Sequence, residues 1–465
     1  MVFYNGTSWK MNTLIRQSHK IAFQLHKKGV SQQSRMMISI DDPISFIRFF
    51  LAGLNLGAVV IPLDRKFTND EIYSCLRIVK PSIYITDKSH RSEYAKEDVL
   101  QMSTNDFELS DTDLHKFLPS LDPDPDDVCV ILFTSGSTGS PKAVQLSATN
   151  FISSAMNWNK QVQFRETDTY LLCLPLAHVG GLNIIIRGLL YGFNISITID
   201  FDANNVSQLI QQQNISLISL VPTMMSRLLQ YSNFTSQFSH LRFIIIGGGP
   251  ISDKLLKSCR ESNLPIMVSY GMTETCSGIS GWLLTEATDE DTGNFIGYPF
   301  DEVKVKVDDS EIVVSGSMIM KGYIGESDCS GTHYTGDLAT VGDNNKIYLS
   351  GRKDNIIISG GENVNPQEVI NVIMQNPEVN DCEIITIPDD EWGMKMVAFI
   401  VPANDENSEI LNSNATGSNI RKFCKERLAN YKIPKDIIFV DSISRADTGK
   451  LLKTKLMSIY KENKL

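Results

Sequence analysis

With 465 residues, the chain is longer than one hydrophobic core normally organises, so we expect a large body and a smaller second unit. Hydrophobic residues make up 42% and charged residues 21%, which is ordinary for a folded globular protein and argues against disorder. The 43 basic and 54 acidic residues give a net charge of -11, and no long basic cluster is present, so we expect no nucleic-acid partner.

The N-terminal segments carry no signal for export or membrane insertion. Residues Met1 to Lys10 are polar and lack the apolar core of a signal peptide. The more apolar stretch from Phe46 to Leu63 is interrupted by Arg48 and Asn55, which argues against a membrane span. We therefore predict a cytoplasmic protein. The eight cysteines are scattered without metal-ligand or disulfide-framework spacing, so we interpret them as reduced thiols.

Short β-branched runs alternate with stretches of helical periodicity along most of the chain, which predicts an α/β fold with largely parallel sheets. The predicted strands are Ala58 to Pro62, Ser82 to Thr86, Val128 to Phe133, Ser216 to Val221, Phe243 to Ile246 and Ile266 to Ser269. The predicted helices are Met11 to Lys27, Thr149 to Trp158, Met224 to Gln230 and Asp253 to Glu261.

From Glu311 onward the pattern changes to short strands and turns, which predicts a β-rich subdomain. After Asp354 the pattern mixes helices and strands and is long enough to fold by itself. We therefore predict a large N-terminal domain of residues 1–353, built from stacked mixed and parallel sheets with helices. A small α+β C-terminal domain of residues 354–465 would follow it.

A cluster of backbone donors, hydroxyls and one cation follows the predicted strand at 128–133: Thr134-Ser135-Gly136-Ser137-Thr138-Gly139-Ser140-Pro141-Lys142. Its N-H groups and hydroxyls can wrap phosphate oxygens, and its glycines allow close approach. The Walker spacing is absent, which disfavours a P-loop ATPase or GTPase. A flexible linker is the alternative, but linkers rarely follow a buried strand.

Two further segments end predicted strands at the sheet edge where α/β proteins bind ligands. Tyr270-Gly271-Met272-Thr273-Glu274 supplies a carboxylate that suits Mg²⁺ beside a triphosphate, with an exposed turn as the alternative. The glycines at 247–249, including Gly248 and Gly249, offer a flat surface for a base, although tight turns use such glycines as often.

The C-terminal third carries three weaker motifs. Tyr334-Thr335-Gly336-Asp337 offers a carboxylate to ribose hydroxyls. The segment from Gly351 to Asn363 contains a cation, Arg352, and a glycine pair, Gly360-Gly361. Finally, Lys450 follows a glycine turn ahead of a predicted helix. Each motif is unremarkable when taken singly.

In this order and at these spacings, the motifs resemble the acyl-adenylate-forming superfamily, which includes acyl-CoA synthetases, luciferases and peptide-synthetase adenylation domains. The resemblance runs from near Val30 to the C-terminus. It implies a large N-terminal domain, a mobile C-terminal domain and two half-reactions. In the first, a carboxylate and MgATP give acyl-AMP and pyrophosphate. In the second, a thiol such as that of CoA attacks the acyl-AMP and releases AMP.

Carried onto this chain, the resemblance implies nucleotide-binding roles for the N-terminal motifs. The segment from Thr134 to Lys142 would lie over the β- and γ-phosphates, and Gly248-Gly249 and Tyr270 to Met272 would line the nucleotide site. Thr273 would contact the α-phosphate and Glu274 would bind Mg²⁺. Asp337 and Arg352 would hold the ribose.

The same resemblance implies a domain rotation between the half-reactions. Lys450 would bridge the substrate carboxylate and the α-phosphate, where its charge offsets charge that develops in the transition state. Asp354 would be the hinge about which the C-terminal domain turns to withdraw Lys450. Gly360-Gly361 would then reach the CoA channel.

The acid would bind beside the segment from Leu174 to Leu182. His178 would lie near the reacting carboxylate or gate the thiol tunnel, with a buried core histidine as the alternative. Within the superfamily, the motifs of this chain are most similar to those of the o-succinylbenzoate:CoA ligases of menaquinone biosynthesis. Ala177 and Gly278 depart from the usual pattern and would reshape the pocket. A second substrate carboxylate needs a polar or basic partner, since an unpaired buried charge is costly. The candidate pocket residues are Ala177, Gly180, Gly181, Arg187 and Ser277.

Three alternatives stay open: a ligase for an aryl or medium-chain acid, a stand-alone adenylation enzyme that loads a carrier protein, and a non-catalytic relative. The last would be expected to lack Glu274, Asp337 or Lys450, and all three are present. We expect a small carboxylic acid, ATP, Mg²⁺ and CoA as ligands, with homo-oligomerisation undecided.

Overall fold

The computed structural model describes residues 1–87, 99–109, 124–135, 141–230, 238, 240–286, 292–329, 331–355, 357–359, 362–389, 393–403, 413–445 and 451–463. Its helices are α1 (Met11–Lys27), α2 (Pro43–Asn55), α3 (Asn69–Val79), α4 (Ala148–Val162), α5 (Val179–Tyr191), α6 (Ala203–Gln212), α7 (Pro222–Leu229), α8 (Asp253–Glu261), α9 (Pro366–Ile373), α10 (Ser413–Lys425) and α11 (Lys453–Glu462).

The strands begin with β1 (Val2–Tyr4), β2 (Thr7–Trp9), β3 (Arg35–Ser39), β4 (Val59–Pro62), β5 (Ile83–Thr86), β6 (Leu100–Ser103), β7 (Val128–Ser135), β8 (Pro141–Ser147), β9 (Thr169–Leu172), β10 (Asn194–Ile197), β11 (Leu217–Leu220), β12 (Phe243–Ile246) and β13 (Ile266–Met272). They continue with β14 (Ser277–Leu283), β15 (Tyr298–Pro299), β16 (Lys304–Asp308), β17 (Glu311–Ser315), β18 (Gly322–Tyr323), β19 (Thr332–Val341), β20 (Ile347–Arg352), β21 (Ile357–Ser359), β22 (Glu362–Val364), β23 (Val379–Asp389), β24 (Gly393–Pro402) and β25 (Asp436–Phe439).

Two large sheets form the N-terminal part. One has the order β15-β14-β13-β12-β11-β9-β10-β1-β2 and the other the order β18-β8-β7-β4-β3-β5-β6. Parallel pairs occupy the centre of the first sheet, and antiparallel pairs lie at both of its edges. In the second sheet the antiparallel pairs lie at the β18 edge, whereas the pairs from β7 to the β6 edge are parallel. Central strands such as β4 and β9 are buried at every position, as expected where helices cover both faces. The prediction of an α/β fold with mixed and parallel sheets is confirmed.

The two large sheets share one hydrophobic core, which includes Val60 and Val130 of the second sheet and Tyr170 and Ile195 of the first. In the first sheet β11 and β12 end at the same level, because Leu220 pairs with Ile246, and β13 continues past this level, because Ile246 pairs with Val268. The segments that follow these strands therefore leave the sheet at one edge.

The β-rich subdomain is the sheet β16-β17-β19-β20, and a separate sheet of β21 to β25 has its own core of residues such as Val369, Ala398 and Ile420. This arrangement confirms the predicted fold class. The boundary between residues 353 and 354 stays a prediction; there Lys353–Asn355 form a single 3-10 turn.

Several predicted limits were wrong. The helix predicted at Thr149 to Trp158 spans Ala148–Val162, and two further errors concern the candidate site. We expected one loop from Thr134 to Lys142, but the β7–β8 hairpin continues through the pairs Thr134–Lys142 and Ser135–Pro141. Likewise, β13 runs to Met272 because β14 pairs with it across a bulge between Tyr270 and Gly271. Cross-strand pairing, which a single-strand pattern does not reveal, extends both elements.

Across the portions of the chain that the structure describes, none of the helices combines the length and apolarity needed to span a membrane.

An internal ion pair joins several elements of the first sheet. The Asp168 carboxylate, 2% exposed, accepts hydrogen bonds from the Arg242 guanidinium, the Ser216 hydroxyl and the Arg165 N-H. Arg242 also donates to the Val162 carbonyl at the end of α4. We predict that Asp168→Ala lowers the free energy of unfolding by about 3–5 kcal/mol, because it leaves a partly buried guanidinium without its counter-charge.

Urea unfolding followed by tryptophan fluorescence measures this loss. Asp301→Ala is the matched control, since Asp301 pairs with Lys160 at the surface with 68% of its side chain exposed. Exposed pairs of this kind contribute about 1 kcal/mol or less. Equal losses in the two variants would contradict the structural role of Asp168.

Candidate active site

A tight turn connects β13 to β14 at the ligand-binding edge of the first sheet. Its arms lie so close that a Cβ atom on Gly271 would be 2.2 Å from the Ser277 carbonyl oxygen. Within the turn, the Thr275 hydroxyl accepts a hydrogen bond from the Met272 N-H and donates to the Ser277 carbonyl at 2.7 Å. The turn contains residues from the predicted phosphate, metal and acid sites, and its backbone fixes their spacing.

Residues after the turn have unusual backbone angles. Cys276 has φ +53° and Ser277 has φ +113°, a region that favours glycine. The Cys276 carbonyl accepts hydrogen bonds from Ser154 on α4 and Asn183 on α5. Burial raises the pKa of the Cys276 thiol, so this residue packs as a neutral thiol and is not a nucleophile at neutral pH.

On one side of the turn, a carboxylate lies between a phenol and a guanidinium. Asp337 accepts hydrogen bonds from the Tyr270 hydroxyl at 2.7 Å and from Arg352 Nη1 at 2.8 Å. Burial and the neighbouring Asp337 carboxylate raise the pKa of Tyr270 well above its ordinary value, so the phenol stays a hydrogen-bond donor. The structure brings these three sequence-predicted residues together.

A buried glutamate, Glu311, supports this arrangement from β17. It accepts hydrogen bonds from the Gly336 N-H and from Lys353 Nζ, each at 2.9 Å. Burial alone would raise the pKa of Glu311, but the two donors outweigh that effect and lower it. Gly336 precedes Asp337 and has φ +72°, so Glu311 fixes the bend that presents the Asp337 carboxylate.

Glu274 lies in the turn itself, beside residues from the second sheet. Its carboxylate accepts a hydrogen bond from the Tyr323 hydroxyl at 2.9 Å, and its backbone carbonyl accepts one from the Met320 N-H. The Lys142 ammonium lies 4.7 Å from the centroid of the Tyr323 ring. Glu274 and Lys142, predicted from separate motifs, are therefore linked through Tyr323. Burial and the Glu274 carboxylate raise the pKa of Tyr323, which keeps it a donor.

The glycine segment after β12 lies at the same edge. A Cβ atom on Gly247 would be 3.0 Å from the Ser269 carbonyl oxygen, and Gly248 has φ +77°. Gly248 and Gly249 are exposed, which leaves their backbone surface accessible to a ligand.

On the other side of the turn lies a buried arginine. Arg187 of α5 is 3% exposed, and its Nη2 donates to the Ser277 hydroxyl at 3.1 Å. Its guanidinium carbon lies 4.9 Å from the centroid of the Trp158 ring. Among the described residues no carboxylate lies within ion-pair distance of Arg187, and its Nε has no hydrogen-bond partner there. Burial lowers the pKa of Arg187 to about 10, so it remains a cation at neutral pH.

The first turn of α5 and the segment before it hold the remaining predicted acid-site residues. Ala177 is buried, and a Cβ atom on Gly181 would be 2.3 Å from the Pro175 carbonyl oxygen. Gly180 lies next to Leu174. His178 is at the N-cap position of α5, with its Nε2 3.3 Å from Oδ2 of Asp64.

Several sequence-predicted residues lie outside the described residues: Gly136, Ser137, Thr138, Gly139, Gly360, Gly361 and Lys450. Among the described ones, Thr134, Ser135 and Lys142 lie on the β7–β8 hairpin, and Thr273 begins a short 3-10 turn. Asp354 lies in the 3-10 turn after β20.

Sequence reasoning missed four residues that the structure places at the site: Asp64, Trp158, Glu311 and Tyr323. Asp64 had a usable signal, since it follows a buried strand at the ligand-binding edge. The other three reach the site only through contacts between distant segments, which no local pattern marks.

Comparison with known proteins gives the family. Residues 1–324 match the AMP-binding enzyme family, and residues 368–450 match the AMP-binding enzyme C-terminal domain. A 2-succinylbenzoate–CoA ligase of Bacillus cereus (strain Q1) is 27% identical over 489 aligned residues, which cover 96% of this chain and 95% of the relative.

Two solved structures have the same fold. The O-succinylbenzoate coenzyme A synthetase of Bacillus subtilis in complex with ATP and magnesium ion aligns with a TM-score of 0.83 at 27% identity, covering 98% of this chain and 96% of that one. ATP-bound MatB from Rhodopseudomonas palustris aligns with a TM-score of 0.83 at 24% identity, covering 96% and 93%. The second likeness concerns the fold alone. The chain belongs to the AMP-binding enzyme family.

Proposed function

We propose that this ATP-dependent acid:CoA ligase converts 2-succinylbenzoate into 2-succinylbenzoyl-CoA, through an acyl-adenylate, in menaquinone biosynthesis. One observation carries the choice of acid: a cation, Arg187, is buried beside the turn with a serine as its hydrogen-bond acceptor and no carboxylate partner in the described part of the chain. The 2-succinylbenzoate–CoA ligases that resemble this chain along nearly its whole length support the same choice.

The nucleotide would bind on the Tyr270 side of the turn. Asp337 has the chemistry to accept hydrogen bonds from both ribose hydroxyls, and Arg352 and Tyr270 hold its carboxylate in place. Gly248 and Gly249 would face the base. Thr273 would contact the α-phosphate, and the β7–β8 hairpin with Lys142 would lie over the β- and γ-phosphates.

Glu274 fits a Mg²⁺ site. A carboxylate held by a neutral hydroxyl remains an oxygen ligand of the type that Mg²⁺ prefers, and Mg²⁺ commonly uses one or two carboxylates together with substrate phosphates. Within the described ranges, no group of three or more His, Cys, Asp or Glu side chains could hold a metal alone. Bound Mg²⁺ would neutralise phosphate charge, and Glu274 would hold it only together with the triphosphate.

The acid would bind on the Ser277 side. A buried cation without a counter-charge costs several kcal/mol, which a substrate carboxylate offsets by pairing with it. Ser277 adopts a strained φ of +113° while it accepts the Arg187 hydrogen bond, and strain of this kind is typical of ligand sites. Of the two substrate carboxylates, one would pair with Arg187 and the other would react near His178.

The remaining steps involve the C-terminal domain. Lys450 would bridge the reacting carboxylate and the α-phosphate during adenylation. Rotation about Asp354 would then remove Lys450 and bring Gly360-Gly361 to the CoA channel. Glu311 binds both Lys353, next to this hinge, and the turn that carries Asp337, so it would link the ribose site to the hinge.

The proposal is tested by incubating the protein with MgATP, CoA and an equimolar mixture of 2-succinylbenzoate, benzoates and fatty acids, with mass-spectrometric detection of the thioesters. We predict a dominant 2-succinylbenzoyl-CoA product. A dominant thioester of another acid would refute the substrate and leave the ligase chemistry intact. AMP formation without any thioester would instead indicate a carrier protein as the acceptor.

The second prediction concerns Arg187→Met. We expect kcat/KM for 2-succinylbenzoate to fall about 100-fold or more, because a buried charge pair is lost. Removal of an unpaired buried charge should leave the free energy of unfolding unchanged or higher. Two monocarboxylic analogues, 4-oxo-4-phenylbutanoate and 2-butanoylbenzoate, each lack one of the two carboxylates. Arg187→Met should reduce turnover of the analogue that retains the reacting carboxylate far less than it reduces turnover of 2-succinylbenzoate.

Arg187→Lys is the matched control for this prediction. Lysine retains the positive charge but lacks the planar guanidinium group, which can donate two hydrogen bonds to one carboxylate. The activity of this variant should therefore be intermediate. If Arg187→Met reduces turnover of the diacid and of the reactive analogue equally, Arg187 does not bind the second carboxylate.

The third prediction concerns Asp337→Asn, which keeps the shape of the side chain but removes its charge. We expect KM for ATP to rise about 10- to 100-fold, the usual effect of losing a charged hydrogen-bond acceptor, while KM for the acid stays unchanged. Steady-state kinetics with each substrate varied in turn measure both constants. Asp343→Asn, on the exposed end of the same β19–β20 hairpin, is the control. A rise in KM for the acid alone would contradict the assignment of Asp337 to the ribose site.

A further inference from the structure

The segment that follows β4 contributes a carboxylate to the acid side of the site. Both oxygens of Asp64 are engaged: Oδ1 accepts a hydrogen bond from the Lys66 N-H at 2.9 Å, and Oδ2 lies 3.3 Å from His178 Nε2. The Asp64 side chain is 15% exposed and that of His178 is 32% exposed. The contact is therefore shielded from most solvent, while part of the imidazole ring remains exposed.

The surroundings of Asp64 hold this carboxylate in place. The next residue, Arg65, forms an ion pair with Asp200, which follows β10 in the other large sheet. Three residues beyond Arg65, the Thr68 N-H and hydroxyl both donate to Glu71 at the start of α3. Contacts with the segment after β10 and with the start of α3 thus hold residues 64–68. Burial alone would raise the pKa of Asp64, but the contacts with His178 and the Lys66 N-H lower it and keep the group ionised.

An ionised carboxylate at Nε2 selects one form of the imidazole. Of the two tautomers of the neutral ring, it favours the one that carries its proton on Nε2, because that nitrogen must donate, and this leaves Nδ1 as the nitrogen that can meet a ligand. In many catalytic sites a carboxylate holds a histidine in the correct tautomer and orientation. Loss of that carboxylate lowers activity because the histidine then adopts the wrong tautomer or orientation.

We infer that Asp64 is a positioning residue for the adenylation half-reaction. It orients His178 and holds its proton on Nε2, so that Nδ1 faces the reacting acid. This inference rests on the proposed placement of His178 beside the acid. It does not depend on which acid is used.

The test measures acid-dependent ATP–pyrophosphate exchange, with whichever acid the protein adenylates, in Asp64→Asn, His178→Ala and the double variant. We expect Asp64→Asn to lower kcat about 10-fold or more without changing KM for ATP, a smaller effect than the complete loss of a general acid or base. In the double variant the losses should not add, because Asp64 acts through His178. Asp64→Glu, which keeps the charge, should recover part of the activity.

Two further measurements separate positioning from folding. Asp200→Asn is the matched control, since it removes an ion pair of Arg65 whose Asp200 side chain is 72% exposed and does not touch His178. Exposed pairs contribute about 1 kcal/mol or less, so this variant should retain kcat. The ¹⁵N spectrum of protein labelled at histidine, with the His178 signals assigned from His178→Ala, should shift toward a tautomer mixture in Asp64→Asn.

Any one of four results would overturn the inference. Three concern Asp64 and its control: additive losses in the double variant, unchanged His178 ¹⁵N signals in Asp64→Asn, or an equal loss in Asp200→Asn. Full exchange activity of His178→Ala would also overturn it. That last outcome would contradict a role for His178 in the proposed acid site but would not affect the ligase assignment. Absence of exchange with every acid tested in the unmodified protein would instead count against the proposed function.

Discussion

The close approach of the two arms of the β13–β14 turn constrains the whole candidate site. Because no side chain fits at Gly271, the backbone there has one compact path, and Thr275 locks it with hydrogen bonds to both arms. Tyr270 before the turn binds Asp337, Glu274 within it binds Tyr323, and Ser277 after it binds Arg187. One short segment thus sets the separation between the two sides that we propose for the nucleotide and the acid.

The two sides differ in how their charges are balanced. On the nucleotide side, Asp337 is paired with Arg352 and hydrogen-bonded to Tyr270, so the protein itself satisfies the charge. On the acid side, Arg187 is buried with a neutral serine and an aromatic ring as neighbours. A carboxylate that is already paired within the protein can accept hydrogen bonds from ribose hydroxyls. A buried cation with only neutral neighbours instead favours binding of an anionic group of the substrate. This difference is the physical basis for choosing a dicarboxylic acid.

Much of the fold was predictable because local patterns determine it. Helix α1 and strand β12 have the predicted limits, since amphipathic periodicity and β-branched runs mark them clearly. The errors at the candidate site arose where pairing between strands extends an element, as at Ser135 and Met272. In the site, motif residues such as Asp337 and Arg352 were found from sequence and do lie together. Glu311 and Tyr323 were not, because their roles depend on contacts between segments far apart in the chain.

The most direct test of this account is a crystal structure of the protein with a non-hydrolysable sulfamate analogue of 2-succinylbenzoyl-AMP. We expect the free carboxylate to lie about 3 Å from a guanidinium nitrogen of Arg187, at ordinary hydrogen-bond distance. The ribose hydroxyls should lie at a similar distance from Asp337. A free carboxylate bound elsewhere, with Arg187 still donating only to Ser277, would contradict the account.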